Sequence, residues 1–430
     1  MQSDGGWLTD ANTRFLLIFD GFDELLLEGR AGGGLKDFLT QVSDFQKNHP
    51  HQCMVTGRPL ALQGIDRQIT QTNNLERVQL QPMSDTHRKI WLFQWGQAFG
   101  EAEAEAFSTF LHACPEDINN KLAREPLLIY LLGRLHREEQ LNTQMFEGIK
   151  GIHAKIRVYD ESVNWVLARQ RQQMSERITG LEPDDLRQVL QEAAFCVVQS
   201  GNETAKLSML KARLTDTANP VAQLLTQAKE VTKTTDEKAL NNLLTAFYLK
   251  PGQGDQRGSV EFAHKSFSEF LFAERLRCAL EDWTCFLDAR KRKPYLNDAQ
   301  MDEQIYDLLG FGALTPEIIE YLRAIAFANE NIDVVQLFQR LQRFYFEWSE
   351  GVYIDQGPSE NLPQRKMLQM QAMSLDIGLR QVDIFTGLNV MILLFELHRY
   401  GQQQIPSNMN LNFHPCGAFG TNAFDSTKLL

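Results

Sequence analysis

Apolar positions before residue 83 change period twice. "RFLLIFDG", residues 14–21, is an unbroken apolar run ending in Asp20, the pattern of a strand covered on both faces. After a Gly-rich loop, "LKDFLTQVSDFQKN" sets Leu35, Phe38, Leu39, Val42 and Phe45 at helical spacing as one stripe. "HQCMVTGRP" reads as a second short strand ending at Gly57 and Pro59, and "ERVQLQPMS" as a third. Strand, helix and strand at these lengths predict parallel pairing and an α/β sheet.

From Ser84 onward the pattern is helical. Ser84 and Asp85 suit the cap of a helix carrying Ile90, Trp91 and Trp95. Residues 116–140 read as a helix, a break at Pro126 and a second helix through "LLIYLLGRL". Over 150–280, "YDESVNWVLARQRQQM" and "DDLRQVLQEAAFCVVQ" read as helices. They precede "LLTAFYLK", the turn-rich "PGQGDQRGS" and "VEFAH", then a helix from Lys265 to about Leu280. Helices followed by a hairpin-like pair fit a winged helix. Residues 281–405 are mostly helical, with aromatic stretches such as "LFQRLQRFYFEW" that read as core, and residues 406–430 begin a loop-like region. The fold class expected is therefore α/β followed by mainly α.

Composition narrows the function classes. The 430 residues carry a formal charge of −12, which argues against general nucleic-acid binding. The basic run "ARKRKP" at 289–294 is local and reads as a solvated helix end. Six cysteines (Cys53, Cys114, Cys196, Cys278, Cys285 and Cys416) form no CxxC pair, so free thiols in a reducing compartment are expected. No Cys/His cluster has zinc-ligand spacing, and "NHPH", with His49 and His51, reads as a polar loop. Met1 to Asp10 is polar and Gly-rich, unlike a signal peptide. "LNVMILLF" from 388 is too short to span a bilayer and runs into Glu396. A cytoplasmic protein with no membrane partner is the expectation.

The stretch with chemistry is "FLLIFDGFDEL". An apolar strand ending in Asp is the Walker B arrangement, with the carboxylate emerging at the edge where open α/β sheets bind ligands. There Asp20 can hold Mg²⁺ through water, since Mg²⁺ prefers hard oxygen ligands and dehydrates reluctantly. Glu24 is placed to polarise an attacking water, and Asp23 to support the ion or orient that glutamate. The plainer alternative is a strand running into an acidic helix N-terminus, which favours carboxylates in any case. "VTGRP" ends a second strand in Thr56 and Arg58, where an arginine can sense a γ-phosphate. "VEFAHKSFSEFLFAE" puts His264 between a strand and a helix, a position that also suits a purely structural histidine.

Together these stretches resemble the NACHT family of STAND-type P-loop NTPases, in order and spacing across about residues 13–275. "LLIFDGFDEL" is similar to the family's Walker B with its extra acidic pair, "VTGRP" to its sensor 1, "REPLLIYLL" to the proline-bearing helical segment, and "FAHKSFSEFLFAE" to the winged-helix histidine motif. The resemblance implies that Asp20 serves Mg²⁺, Glu24 and Asp23 serve hydrolysis, and Arg58 contacts the γ-phosphate. It also implies that Pro126 packs near the nucleotide and that His264 contacts a β-phosphate in the closed form. Such proteins, here most like bacterial multidomain members, use ATP or GTP as a conformational latch for sensing a ligand and self-associating. The implied domains are 1–82 for the back half of the NTPase core, 83–148 for a helical domain, 149–280 for the winged helix and 281–405 for a C-terminal helical domain.

One element of that family is missing. No GxxxxGK[ST] occurs in the chain, and in "GRAGGGLKD" Lys36 is followed by Asp37 and lies after the Walker B strand. The family's P-loop precedes Walker B by several tens of residues, whereas fourteen residues precede Phe15. The chain therefore reads as part of a NACHT switch, weak in nucleotide binding by itself. The alternatives are a non-enzymatic helical interaction protein and a P-loop supplied in trans.

Overall fold

A computed structural model describes residues 13–20, 34–57, 74–76, 78–173, 181–201, 204–216, 221–232, 250–251, 259–262, 264–288, 293–327, 329–357, 360–403 and 411–417. The chain divides into two compact units, Met1–Gln81 and Pro82–Leu430, and the architecture is mainly helical.

In the first unit, β1 (Leu16–Phe19) pairs in parallel with β2 (Gln52–Val55), Phe19 opposite Val55, and α1 (Gly34–Asn48) makes the crossover. That is the strand, helix and strand expected from the periodicity. The helix buries Leu39 and Val42 from its apolar stripe, and Phe38 meets Phe19 edge to face with ring centroids 5.6 Å apart. His51 is buried, and its Nδ1 accepts from the Phe15 amide at 3.3 Å, tying together the starts of both strands. Two expectations need correction. The strand β1 is not covered on both faces among the described residues, because Leu16 and Ile18 stay 54% and 61% exposed. "ERVQLQPMS" forms no third strand: residues 78–84 have no ladder partner, and Val78 and Leu80 are almost fully exposed. Alternation alone does not make a strand without a neighbour to take its hydrogen bonds.

The second unit opens with α2 (Asp85–Phe99), capped as expected by the Ser84 side chain, which accepts from the His87 amide. Next come α3 (Glu101–Ala113), a short irregular helical stretch over 117–124, and α4 (Pro126–Arg137), where proline sits at the first helical position. The "break" at Pro126 is thus a helix start. Then α5 (Ile152–Gln173) and α6 (Pro183–Gln199) lead to β3 (Thr204–Lys206), α7 (Leu207–Thr215) and α8 (Ala222–Thr232). The strands β4 (Lys250–Pro251) and β5 (Ser259–Glu261) complete an antiparallel sheet of order β3-β5-β4. Most of "LLTAFYLK" and "PGQGDQRGS" lies outside the described residues.

The long α9 (Lys265–Thr284) is buried along most of its length and packs against α6. It ends before a hairpin of β6 (Phe286–Asp288) and β7 (Lys293–Pro294). The described end of "ARKRKP", Lys293 and Pro294, therefore belongs to a strand and not to a helix end. Among the described residues five further helices follow: α10 (Asp298–Leu309), α11 (Pro316–Ala326), α12 (Val334–Ser349), α13 (Leu362–Ala372) and α14 (Leu379–Gln403). Their buried residues join those of α3 to α7 and α9 in one continuous core, in which Phe311 meets Phe195 and Phe272 edge to face and those two rings meet at a tilt. The aromatic run of α12 is core as expected, with Phe344 and Tyr345 fully buried.

The helix α14 is 25 residues long and holds an 18-residue stretch of mean hydropathy 1.2, long and apolar enough by that measure to cross a membrane. Here it packs on α10, α12 and α13 and buries a polar centre. Its Asn389 donates to the carbonyls of Leu309 and Gly312 at 2.8 and 2.7 Å and accepts from the Leu314 amide at 3.0 Å.

Candidate functional site

Asp20 follows the last residue of β1 and Thr56 the last of β2, so parallel pairing brings both side chains to the same edge of the sheet. The Thr56 amide continues the ladder by donating to the Phe19 carbonyl at 2.9 Å. Its hydroxyl donates to an Asp20 carboxylate oxygen, and Asp20 itself is exposed. The result is two adjacent hard oxygens at the C-terminal edge of parallel strands, a donor set suited to Mg²⁺ held through water. Among the described residues no group of three or more His, Cys, Asp or Glu could hold a metal. Asp23, Glu24 and Arg58 lie outside the described residues.

The second unit contains Pro126 and His264. Glu125 precedes Pro126, and Lys155 on α5 reaches its carboxylate at 3.7 Å. One turn further along α5, the hydroxyl of buried Tyr159 hydrogen-bonds with Ser266 and Tyr321, and its ring meets Phe267 edge to face. Burial raises the Tyr159 phenol above its ordinary value, against the Ser266 hydrogen bond, which lowers it. Ser266 is in turn bound to His264: its amide donates to the histidine Nδ1 at 3.1 Å. His264 therefore caps α9 with its own ring, while the residue stays exposed. In this way α5 ties the Pro126 segment to the His264 segment through successive turns on one face.

Before Pro126, Arg124 anchors the start of the unit. It donates to the Met83 carbonyl at 3.1 Å, accepts from the Met83 amide at 2.9 Å and pairs with Asp85 at 2.7 Å. The Asp117 carboxylate takes the Gly151 amide at 2.8 Å at the start of α5. The Lys121 hydrogen bond, with that amide, holds the Asp117 carboxyl below its usual value. Beside this turn lies an open recess of about 390 Å³, lined among others by Lys150, His153, Arg157 and Asp160.

Sequence reasoning singled out Pro126 and His264 but neither Lys155 nor Tyr159. Their spacing of four on a mixed helix matches many surface pairs, and only the packing of α5 shows that both face the two motif segments. No protein-family model, curated protein or solved structure matches the chain.

Proposed function

We propose that this chain carries the Mg²⁺, sensor and regulatory portions of a NACHT-type nucleotide switch. The observation that carries the reading is the Asp20–Thr56 hydrogen bond across the C-terminal edge of two parallel strands. A Walker B strand beside a sensor strand requires that adjacency, and a strand that merely ends in a solvated acid does not. In this reading Asp20 holds Mg²⁺ through water, and Thr56 fixes the rotamer of that carboxylate. Glu24 activates water with Asp23 beside it, and Arg58 meets the γ-phosphate. The ion would neutralise phosphate charge when bound.

The second unit supports the reading by its element order. Among the described residues a helix, a strand, two helices and an antiparallel strand pair run from α6 to β5, an order compatible with a winged helix, and His264 caps the helix that follows. His264 then serves as the diphosphate contact and Pro126 packs near the nucleotide, with Lys155 and Tyr159 coupling the two. ATP or GTP would act as the latch for ligand sensing and self-association in the cytoplasm.

Translation of the source DNA upstream of Met1 tests this. An in-frame GxxxxGK[ST] behind a predicted strand supports it, and a stop codon directly upstream with no P-loop in a neighbouring gene overturns it. A helical interaction protein would then be the better reading.

A further inference from the structure

Where α13 closes over Phe195 of α6, the buried contact is charged. The residues that α13 buries are Pro363, Lys366 and Met370, so its central inward side chain is an ammonium. Lys366 is 4% exposed. Its Nζ lies 3.1 Å from Asp307 on α10, and the other Asp307 oxygen accepts from Arg213 on α7 at 2.6 Å. Both cations lie over the ring of Phe195 on α6, Arg213 at 4.3 Å and Lys366 at 5.3 Å. The thiol of Cys196, the next residue, is buried among the same charges.

The helices α6 and α9 meet through interlocked aromatics, and α9 and α11 likewise, with Phe270 against Tyr321. The closure of α13 over Phe195 is centred on a chain of alternating charges, whereas α6 and α9 combine such pairs with their aromatics. Buried ion pairs add little net stability relative to apolar residues of similar size. Their open state is correspondingly cheap, since separated charges regain hydration while separated apolar faces do not. The ends of α13 suit movement as well. Asn361 caps its first turn, and Ser374 just past its last turn holds φ at +65°, a left-handed value uncommon for serine.

We propose that α13 is a releasable strap, that the Lys366–Asp307–Arg213 chain is its clasp, and that release uncovers the Phe195–Cys196 surface of α6. This inference does not depend on nucleotide chemistry. It describes a low-energy opening of the second unit, distinct from global unfolding.

Two buried thiols in the same chain make it testable. Cys114, at the end of α3, is also buried and far in sequence from the clasp, and burial raises both Cys114 and Cys196 to about 12, which suppresses their intrinsic reactivity alike. The full chain is alkylated under native conditions and both sites are read by peptide mass spectrometry. We expect Cys196 to react faster than Cys114 in the wild type. Asp307→Asn should raise the Cys196 to Cys114 ratio at least about tenfold, as a change in a local opening equilibrium. Lys366→Met, which replaces the clasp's ammonium with an apolar chain over Phe195, should lower it. Equal rates at the two sites in the wild type would overturn the strap, and that arm remains decisive if a variant fails to fold. An Asp307→Asn ratio equal to wild type would overturn the clasp.

Discussion

The carboxylate of Glu192 accepts the Nε donor of Arg213 at 2.6 Å with both side chains buried, and its other oxygen accepts Arg275 at the same distance. One anion thus holds two cations from α7 and α9. Glu192→Ala leaves both guanidinium groups buried without their shared partner and should destabilise the chain by about 3–5 kcal/mol in urea unfolding. The double change Glu192→Leu with Arg275→Met, which leaves Arg213 paired with Asp307, should cost less than Glu192→Ala alone. A double variant weaker than the single one would mean that the pair contributes more than its mutual compensation.

Acid should act on the same region with a definite sign. Burial alone would raise the Asp307 carboxyl, but Arg213 and Lys366 outweigh it and hold it below the usual range, and Glu192 is lowered likewise by Arg213 and Arg275. A carboxyl depressed by folding stabilises above its unfolded value, about 4, and loses that contribution as pH falls below it. Asp302 and Asp383 are raised by burial against their hydrogen bonds, so they favour folding as pH falls through their folded values. Asp307→Asn should therefore be less stable than wild type at pH 7, with the gap closing below about pH 4. Denaturant midpoints measured from pH 7 down to about 2 follow the gap as it closes progressively, and a gap constant over that whole range would contradict the assignment.

Asn389 satisfies the turn between α10 and α11 with three bonds from one amide. Asn389→Leu keeps the size but orphans two carbonyls and an amide. The expected cost is at least about 2 kcal/mol, since each buried unsatisfied group costs about 1–3. A neutral result in chemical denaturation would show that water takes over those groups.

Gly387 faces the indole of Trp348, and a Cβ there would stand 1.9 Å from the ring, while Trp348 Nε1 donates to the Asp383 carbonyl at 2.9 Å. In an open helix Gly→Ala stabilises by roughly 1 kcal/mol. Here the ring must leave, so Gly387→Ala should destabilise by about 1–3 kcal/mol or more and shift tryptophan emission toward the red. A stabilised variant would remove this close approach.

Periodicity made the parallel β1–α1–β2 unit and the helices α2, α4, α5, α6 and α9 legible, because amphipathic stripes and capping residues such as Ser84 are local signals, while α10 to α14 were read only as one mostly helical stretch. The third strand failed because "ERVQLQPMS" alternates without a neighbour to pair with among the described residues. Asp20, Pro126 and His264 were legible as motif residues, while Thr56 gained its partner only through strand register. The clasp was hidden for a similar reason: Glu192, Arg213, Asp307 and Lys366 sit on four helices, and each reads alone as an ordinary surface charge.

The cap formed by His264 and its proposed phosphate contact separate by substitution. Its Nδ1 accepts the Ser266 amide and caps α9, whereas the proposed phosphate contact needs the rest of the ring. Loss of a cap costs about 1 kcal/mol, and asparagine caps as well as any residue. His264→Ala should therefore lower the melting temperature of the chain, and His264→Asn should restore it. In a form that carries a phosphate cradle, Mg²⁺ and ADP should raise the melting temperature of wild type but raise that of His264→Asn much less. Glu24→Gln in that form should bind ATP or GTP without turnover. This chain alone should bind ATP weakly by calorimetry, because no GxxxxGK[ST] is present to hold the phosphates. If His264→Asn matches wild type in nucleotide response, the histidine is a cap and nothing more. A micromolar Kd for the chain alone would mean that another segment cradles the phosphates.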